Sequence, residues 1–268
     1  MILASASLAS LVLSASAVTA YALSALTALP SLRLNVRLTL LSAWALHGVL
    51  LALGLLAEPL RFGFAPALSV TAWLVLTVYV LESLQWPQLR LRWALAALGA
   101  VTVLLALAFP GSVLHPSTSA WLPLHWALGI ACYGLFATAV VHAGLMMRTE
   151  RQIRQAADPH SGVPLLTLER LTFRFVAAGF VLLSATLLAG WFFSEKLSTS
   201  AASGWRWNHK TVFSLLSWAT FAVLLLGRAH FGWRGRRAVR VLYAGAGLLL
   251  LAYVGSRFVL EVLLGRTP

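Results

Sequence analysis

The feature that most constrains this chain is a series of eight apolar runs, each near the length that crosses a bilayer. A hydrocarbon core of ~30 Å takes about 20 helical residues. The runs lie at about 2–28, 38–57, 67–83, 93–109, 121–147, 172–194, 209–227 and 241–263, each bounded by Pro, Gly or Arg. The third and fourth sit near the lower length limit. Backbone groups facing lipid must pair within their own segment, and the runs lack the alternation of barrel strands, so the expected fold is all-α. With 60% hydrophobic and 10% charged residues, the chain lies far from the roughly 25% charged of soluble proteins. The longest stretch between runs, 148–168, is too short to bury a core of its own. The expectation is one polytopic membrane domain over residues 1–268, in contact with the lipid bilayer.

The basic residues orient it. One set of alternate loops carries Arg33, Arg37, Arg90, Arg92, Arg148, Arg151, Arg154, Arg170, Arg174, Arg228, Arg234, Arg236, Arg237 and Arg240; the other carries only Arg61, Lys196, Arg206, Lys210 and Arg266. By the positive-inside rule the first set is cytoplasmic, which puts both termini outside. The net charge of +13 is then mostly a matter of topology, with anionic-lipid contact as an addition. Nucleic acid is not an expected partner, because the Arg residues are divided among four short loops instead of forming one face. The first run has Ala-x-Ala spacings but no Lys or Arg before Arg33, and it is longer than a signal's apolar core, so it reads as a retained helix. Cys132, the single cysteine, reads as a small packing residue of the fifth run.

Enzymatic motifs are absent: there is no GxxxxGK[ST], HExxH or Gly-x-Ser-x-Gly, and the chain reads as a non-enzyme. Chemistry is left to the histidines. His125, in WLPLHWALG, and His209, in GWRWNHK, both fall at the expected outer ends of helices, whereas His209 and His230 lie about 30 Å apart along one helix. Two imidazoles from different helices beside Trp faces fit the axial ligation of a heme iron, with Trp205 and Trp207 as walls and Arg206 and Lys210 as propionate partners. The same residues also fit the aromatic belt and snorkelling cations of any membrane interface, and residue chemistry alone leaves both readings open. His47, mid-membrane in ALHGVLLAL, reads either as part of a cofactor path or as a neutral imidazole bonded to a neighbouring helix. Arg257 and Glu261, four residues apart, share a face and are expected to pair.

The segments LHWALGIACYGLFATAVVHAGLMM, ERLTFRFVAAGFVLLSATLLAGWFF and WNHKTVFSLLSWATFAVLLLGRAHFGWRGRRAVRVLYAGAGLLLLAYVGSRFVLEVLL resemble the cytochrome c assembly membrane proteins, closest to their HemX-like and YpjD-like inner-membrane branch. The resemblance is strong over 121–263 and weaker before, where His47 matches a membrane histidine of the branch. It implies a multi-pass protein of the bacterial inner membrane that binds or relays heme, with other assembly or membrane proteins as partners. In heme-exporting members a Trp-rich outer segment ends in a Trp-Asp-Pro-Lys-like motif. Trp207, Asn208, His209 and Lys210 stand at its end, and His125 at the first outward histidine. This sequence departs from that pattern: the loop is short, Asn208 and His209 replace Asp and Pro, and the last helix ends at LLGRTP without a second outward histidine. His209 as the replacement ligand is therefore an expectation about this chain. A partner or regulatory subunit that keeps the fold without heme is the alternative.

Overall fold

The computed structural model describes residues 8–26, 36–85, 92–113, 121–155, 164–192 and 208–265. Its helices are α1 (Leu8–Leu26), α2 (Val36–Leu56), α3 (Phe64–Gln85), α4 (Arg92–Ala108), α5 (Trp121–Arg154), α6 (Leu165–Phe192), α7 (His209–Phe231) and α8 (Gly235–Leu263). Among the described residues seven helices are long and apolar enough to cross a membrane, and α4 is a shorter apolar helix. The expected all-α polytopic architecture is what the chain adopts.

The three largest departures from the sequence expectation are at polar helix ends. Helix α5 continues past 147 to Arg154, α6 begins at Leu165 instead of 172, and α8 begins at Gly235 instead of 241. Hydropathy registers only the lipid-embedded part of a helix. Good helix formers and pairs such as Arg154 with Glu150, one turn apart at 3.1 Å, carry the backbone hydrogen bonding further. A second difference is a two-residue antiparallel ladder, β1 (Arg61–Phe62) with β2 (Ser112–Val113), which joins the α2–α3 and α4–α5 connections.

The chain divides into two compact units, Met1–His115 with Arg257–Pro268, and Pro116–Ser256. In the first, Tyr21 of α1 is fully buried against Gly99 of α4: a Cβ added at Gly99 would stand 2.6 Å from the Tyr21 ring. The phenol hydroxyl shares a 3.0 Å hydrogen bond with His47 Nδ1, and His47 Nε2 shares one of 2.8 Å with Ser69 Oγ of α3. One side chain of α2 thus ties to α1 and α3 at once. Nearby, Trp44 and Trp73 stack at 5.5 Å, with each indole N–H donating across the α2–α3 pair, to Thr77 Oγ1 and to the Trp44 carbonyl. At the ladder, Arg257 pairs with Glu261 at 3.5 Å and donates to Ser112 Oγ. The Glu261 carboxylate lies 2.8 Å from where a Cβ at Gly63 would stand, so only glycine fits there.

The second unit is centred on Phe136 of α5 and Phe221 of α7, stacked with centroids 3.8 Å apart. Gly179 of α6 and Gly245 of α8 supply the space: an added Cβ would come within 3.1 Å of Phe136 or 2.9 Å of Phe221. Ser217 Oγ donates to the Gly245 carbonyl, and the Tyr133 hydroxyl donates to the Leu249 carbonyl. The latter bond sits just before the wider π-helical turn at Leu251–Gly255, where the regular α-helical ladder is interrupted. Cys132 is a free, buried packing residue, as expected. Glu169 accepts from Arg228 at 2.5 Å and from Arg234 at 3.2 Å, fastening α6 to the α7–α8 turn.

Gly99→Ala is expected to cost about 1–3 kcal/mol by overpacking the Tyr21 ring. Gly54→Ala, where an added Cβ meets nothing within 4 Å, should be neutral or slightly stabilising. Thermal unfolding of the detergent-solubilised variants measures both; equal midpoints for the two would remove Gly99 from the list of packing determinants.

Candidate functional site

His125 lies in the first turns of α5, in WLPLHW, with its ring directed at the end of α6. A Cβ added at Gly190 would stand 3.7 Å from His125 Cε1, so the absence of a side chain at 190 leaves room for the imidazole. The His125 Nδ1 atom is buried and has no hydrogen-bond partner among the described residues. An orphaned buried nitrogen on a membrane helix is rare, because it has given up water and received nothing in exchange. Trp191, next to Gly190, is 57% exposed and stands at the same end of the unit. Sequence reasoning missed Gly190 and Trp191. The available signal was AGWFF closing an apolar run, on the same side as the N-terminal ends of α5 and α7.

His209 opens α7 and is exposed; no hydrogen bond or ring contact engages it among the described residues. Its neighbour Asn208 is the N-cap of that helix: the side-chain carbonyl accepts from the Thr211 N–H at 3.0 Å, and Thr211 Oγ1 lies 3.1 Å from it. Part of the polar cluster in WNHK therefore has a local cause, since an Asn at this position satisfies a helix donor that lipid cannot. The Lys210 ammonium lies over the Tyr253 ring, 5.9 Å from its centroid, which is the outer limit of cation–π attraction. Trp205, Arg206 and Trp207 lie outside the described residues. No hydrogen bond or ring contact joins His125 to His209.

His47 is the contrasting case. It is fully buried, and both ring nitrogens are engaged, by Tyr21 and Ser69. Either tautomer of a neutral imidazole satisfies the pair, because both hydroxyls donate or accept. Of the two readings open from the sequence, the geometry is that of the imidazole bonded to neighbouring helices. His142 is likewise buried, with Nδ1 bonded to the Thr138 carbonyl at 2.9 Å and its ring against Phe175. His230 is exposed at the far end of α7. Among the described residues no three His, Cys, Asp or Glu side chains gather in a group able to hold a metal ion.

Comparison with known proteins bears on the family of the chain. A family model described as cytochrome C assembly protein matches residues 34–264. The chain is 30% identical to the inner membrane protein YpjD of Escherichia coli K12 over 192 residues, 70% of each chain. It is 32% identical to an uncharacterized 28.8 kDa protein of Azospirillum brasilense over 54% of each chain. It is also 31% identical to the cytochrome c biogenesis protein CcsA of Nostoc punctiforme, over 44% of this chain and 33% of that one. No solved structure matches it.

Removing either partner of His47 leaves a buried imidazole nitrogen without a hydrogen bond. Tyr21→Phe or Ser69→Ala should each lower stability by about 1–3 kcal/mol. Denaturant or thermal unfolding in detergent reads this directly. A loss in neither variant would mean that the nitrogens find other partners.

Proposed function

This chain belongs to the cytochrome c assembly protein family, and from that premise we propose that it binds heme in the bacterial inner membrane through His125 and His209. The observation that carries the reading is the buried, unpartnered Nδ1 of His125 beside Gly190. His47 shows that this protein pairs both nitrogens of a histidine when its role is structural. His125 bonds to the Thr186 backbone but leaves its Nδ1 unpaired, and His209 is presented at a helix start with no hydrogen bond among the described residues.

The residues fit the group. His125 and His209 would hold the iron as axial ligands, and Trp205, Trp207 and the newly recognised Trp191 would offer flat apolar walls. Arg206 and Lys210 would meet the propionates as charge-assisted donors. A bound heme supplies a redox-active iron; the chain's own contribution is to hold the ring and keep it accessible to an acceptor. On the positive-inside reading the starts of α5 and α7 and the end of α6 would lie on the outer face, where such a transfer would take place. His47 has no part in this reading, since ligation there would cost a bond to Tyr21 or Ser69. In this role the protein is a component of a heme-handling assembly, not a catalyst of covalent chemistry.

One observation favours the second reading, a subunit that keeps the fold without heme: Asn208 and Lys210, at two positions of the family motif, have structural contacts of their own, with Thr211 and Tyr253. An absorption spectrum separates the two. The purified protein titrated with hemin should show a low-spin bis-histidine Soret band, and His125→Ala and His209→Ala should each weaken binding at least tenfold, the loss expected of one axial ligand or its close support. A titration that leaves the hemin spectrum unchanged in the wild-type protein would sink the proposal and leave the subunit reading.

A further inference from the structure

The first unit contains a cavity that the heme reading does not use. It has a volume of about 280 Å³ and runs from His47, midway along α2, past Gly54 to Arg61 of β1, with Ser69 and Val70 of α3 and Val103 of α4 among its walls. Along α2 its lining runs from His47 to Leu55. At 1.5 Å per residue this is about 12 Å, close to half of a ~30 Å hydrocarbon core. The cavity is therefore as deep as one leaflet.

Its chemistry is divided along that axis. The walls are mainly Leu, Val, Ala and Pro, and at the inner end His47 and Ser69 are already bonded to each other. Between its two ends the cavity offers water only the hydroxyls of Ser10 and Ser14 on α1, and most of the space has no polar side chain to hold it. At the mouth stands Arg61, exposed and without an ion-pair partner among the described residues. The carboxylate nearest in sequence, Glu58, is exposed and does not contribute to the lining. Gly54 faces the space with nothing within 4 Å of where its Cβ would be.

We propose that this cavity is a lipid site, in which one acyl chain of an anionic phospholipid lies along α2 down to His47 while its headgroup rests on Arg61. Depth suits the chain, apolar walls exclude water, and the lone cation selects the headgroup charge. A heme macrocycle does not suit the same space, because both His47 nitrogens are occupied and no other side chain of the lining offers a nitrogen to iron.

The test uses the full chain in phosphatidylcholine nanodiscs containing a trace of phospholipid with a photoactivatable diazirine in its acyl chain, on either a phosphatidylglycerol or a phosphatidylcholine headgroup. After illumination, the labelled peptides are mapped by mass spectrometry. The phosphatidylglycerol probe should label residues 47–70 about fivefold more than the phosphatidylcholine probe, the effect of one basic side chain on an anionic headgroup. Arg61→Gln should bring that ratio to about one. Gly54→Leu, which fills the cavity, should remove most labelling from 47–70. Gly247→Leu, at another glycine with open space around its Cβ, should leave labelling unchanged. Equal labelling by both probes in the wild type would overturn the headgroup assignment, as would a ratio that survives Arg61→Gln. Undiminished labelling in Gly54→Leu would reduce the contact to ordinary lipid at the protein surface. Displacement of the probe by equimolar hemin would hand the cavity to the macrocycle and also overturn the proposal. None of these results depends on His125 or His209.

Discussion

The first unit depends on the burial of Tyr21 against the bare Cα of Gly99. Helices in lipid gain little from hydrophobicity when they meet, since the tails they leave are as apolar as the side chains they join. Close packing and interhelical hydrogen bonds must supply the specificity. Gly99 lets α1 and α4 approach until an aromatic ring fills the gap, and that ring carries a hydroxyl into the interior. An unpaired hydroxyl there would be costly, and His47 receives it; His47 in turn needs a partner for its second nitrogen, and Ser69 provides one. Each polar group is tolerated because the next one satisfies it, and the chain of bonds fixes the positions of α1, α2 and α3 together.

The second unit applies the same rule with different residues. The Phe136–Phe221 stack is admitted by Gly179 and Gly245, and the polar fastenings are placed around it: Ser217 to the Gly245 carbonyl, Tyr133 to the Leu249 carbonyl, Trp218 to Ser184. At the basic end, Glu169 is nearly buried and faces two guanidinium groups, while Arg228 also covers the Phe173 ring. A carboxylate in this position is retained only where opposite charge surrounds it. At the opposite end of α5, α6 and α7 the fold uses its histidines only in part: His125 bonds to the Thr186 backbone and leaves Nδ1 unpaired.

The histidines differ in how the packing uses them. His47 and His142 are bonded and buried, whereas His125 keeps an orphaned nitrogen and His209 stands exposed at a helix start. Within the polar cluster around WNHK, Asn208 has a local cause, since a helix beginning at His209 needs a cap, whereas His209 has no hydrogen bond among the described residues.

The membrane character, the number of helices and the family were legible in the sequence, because bilayer thickness imposes a run length and the ~20-residue apolar runs are written without reference to anything else in the chain. The i, i+4 pair of Arg257 with Glu261 was legible for a similar reason, since helical periodicity alone brings the two together. What only the tertiary structure decided were relations between distant residues. Sequence left His47 open between ligand and packing; Tyr21 and Ser69, 26 and 22 residues away, decided its surroundings. The places of Gly190 and Trp191 beside His125, the small β1–β2 ladder and the cavity below Arg61 likewise arise from segments meeting in space. Hydropathy is a property of one helix with lipid, whereas a hydrogen-bond partner or a cavity is a property of several helices with one another, and no local pattern records it.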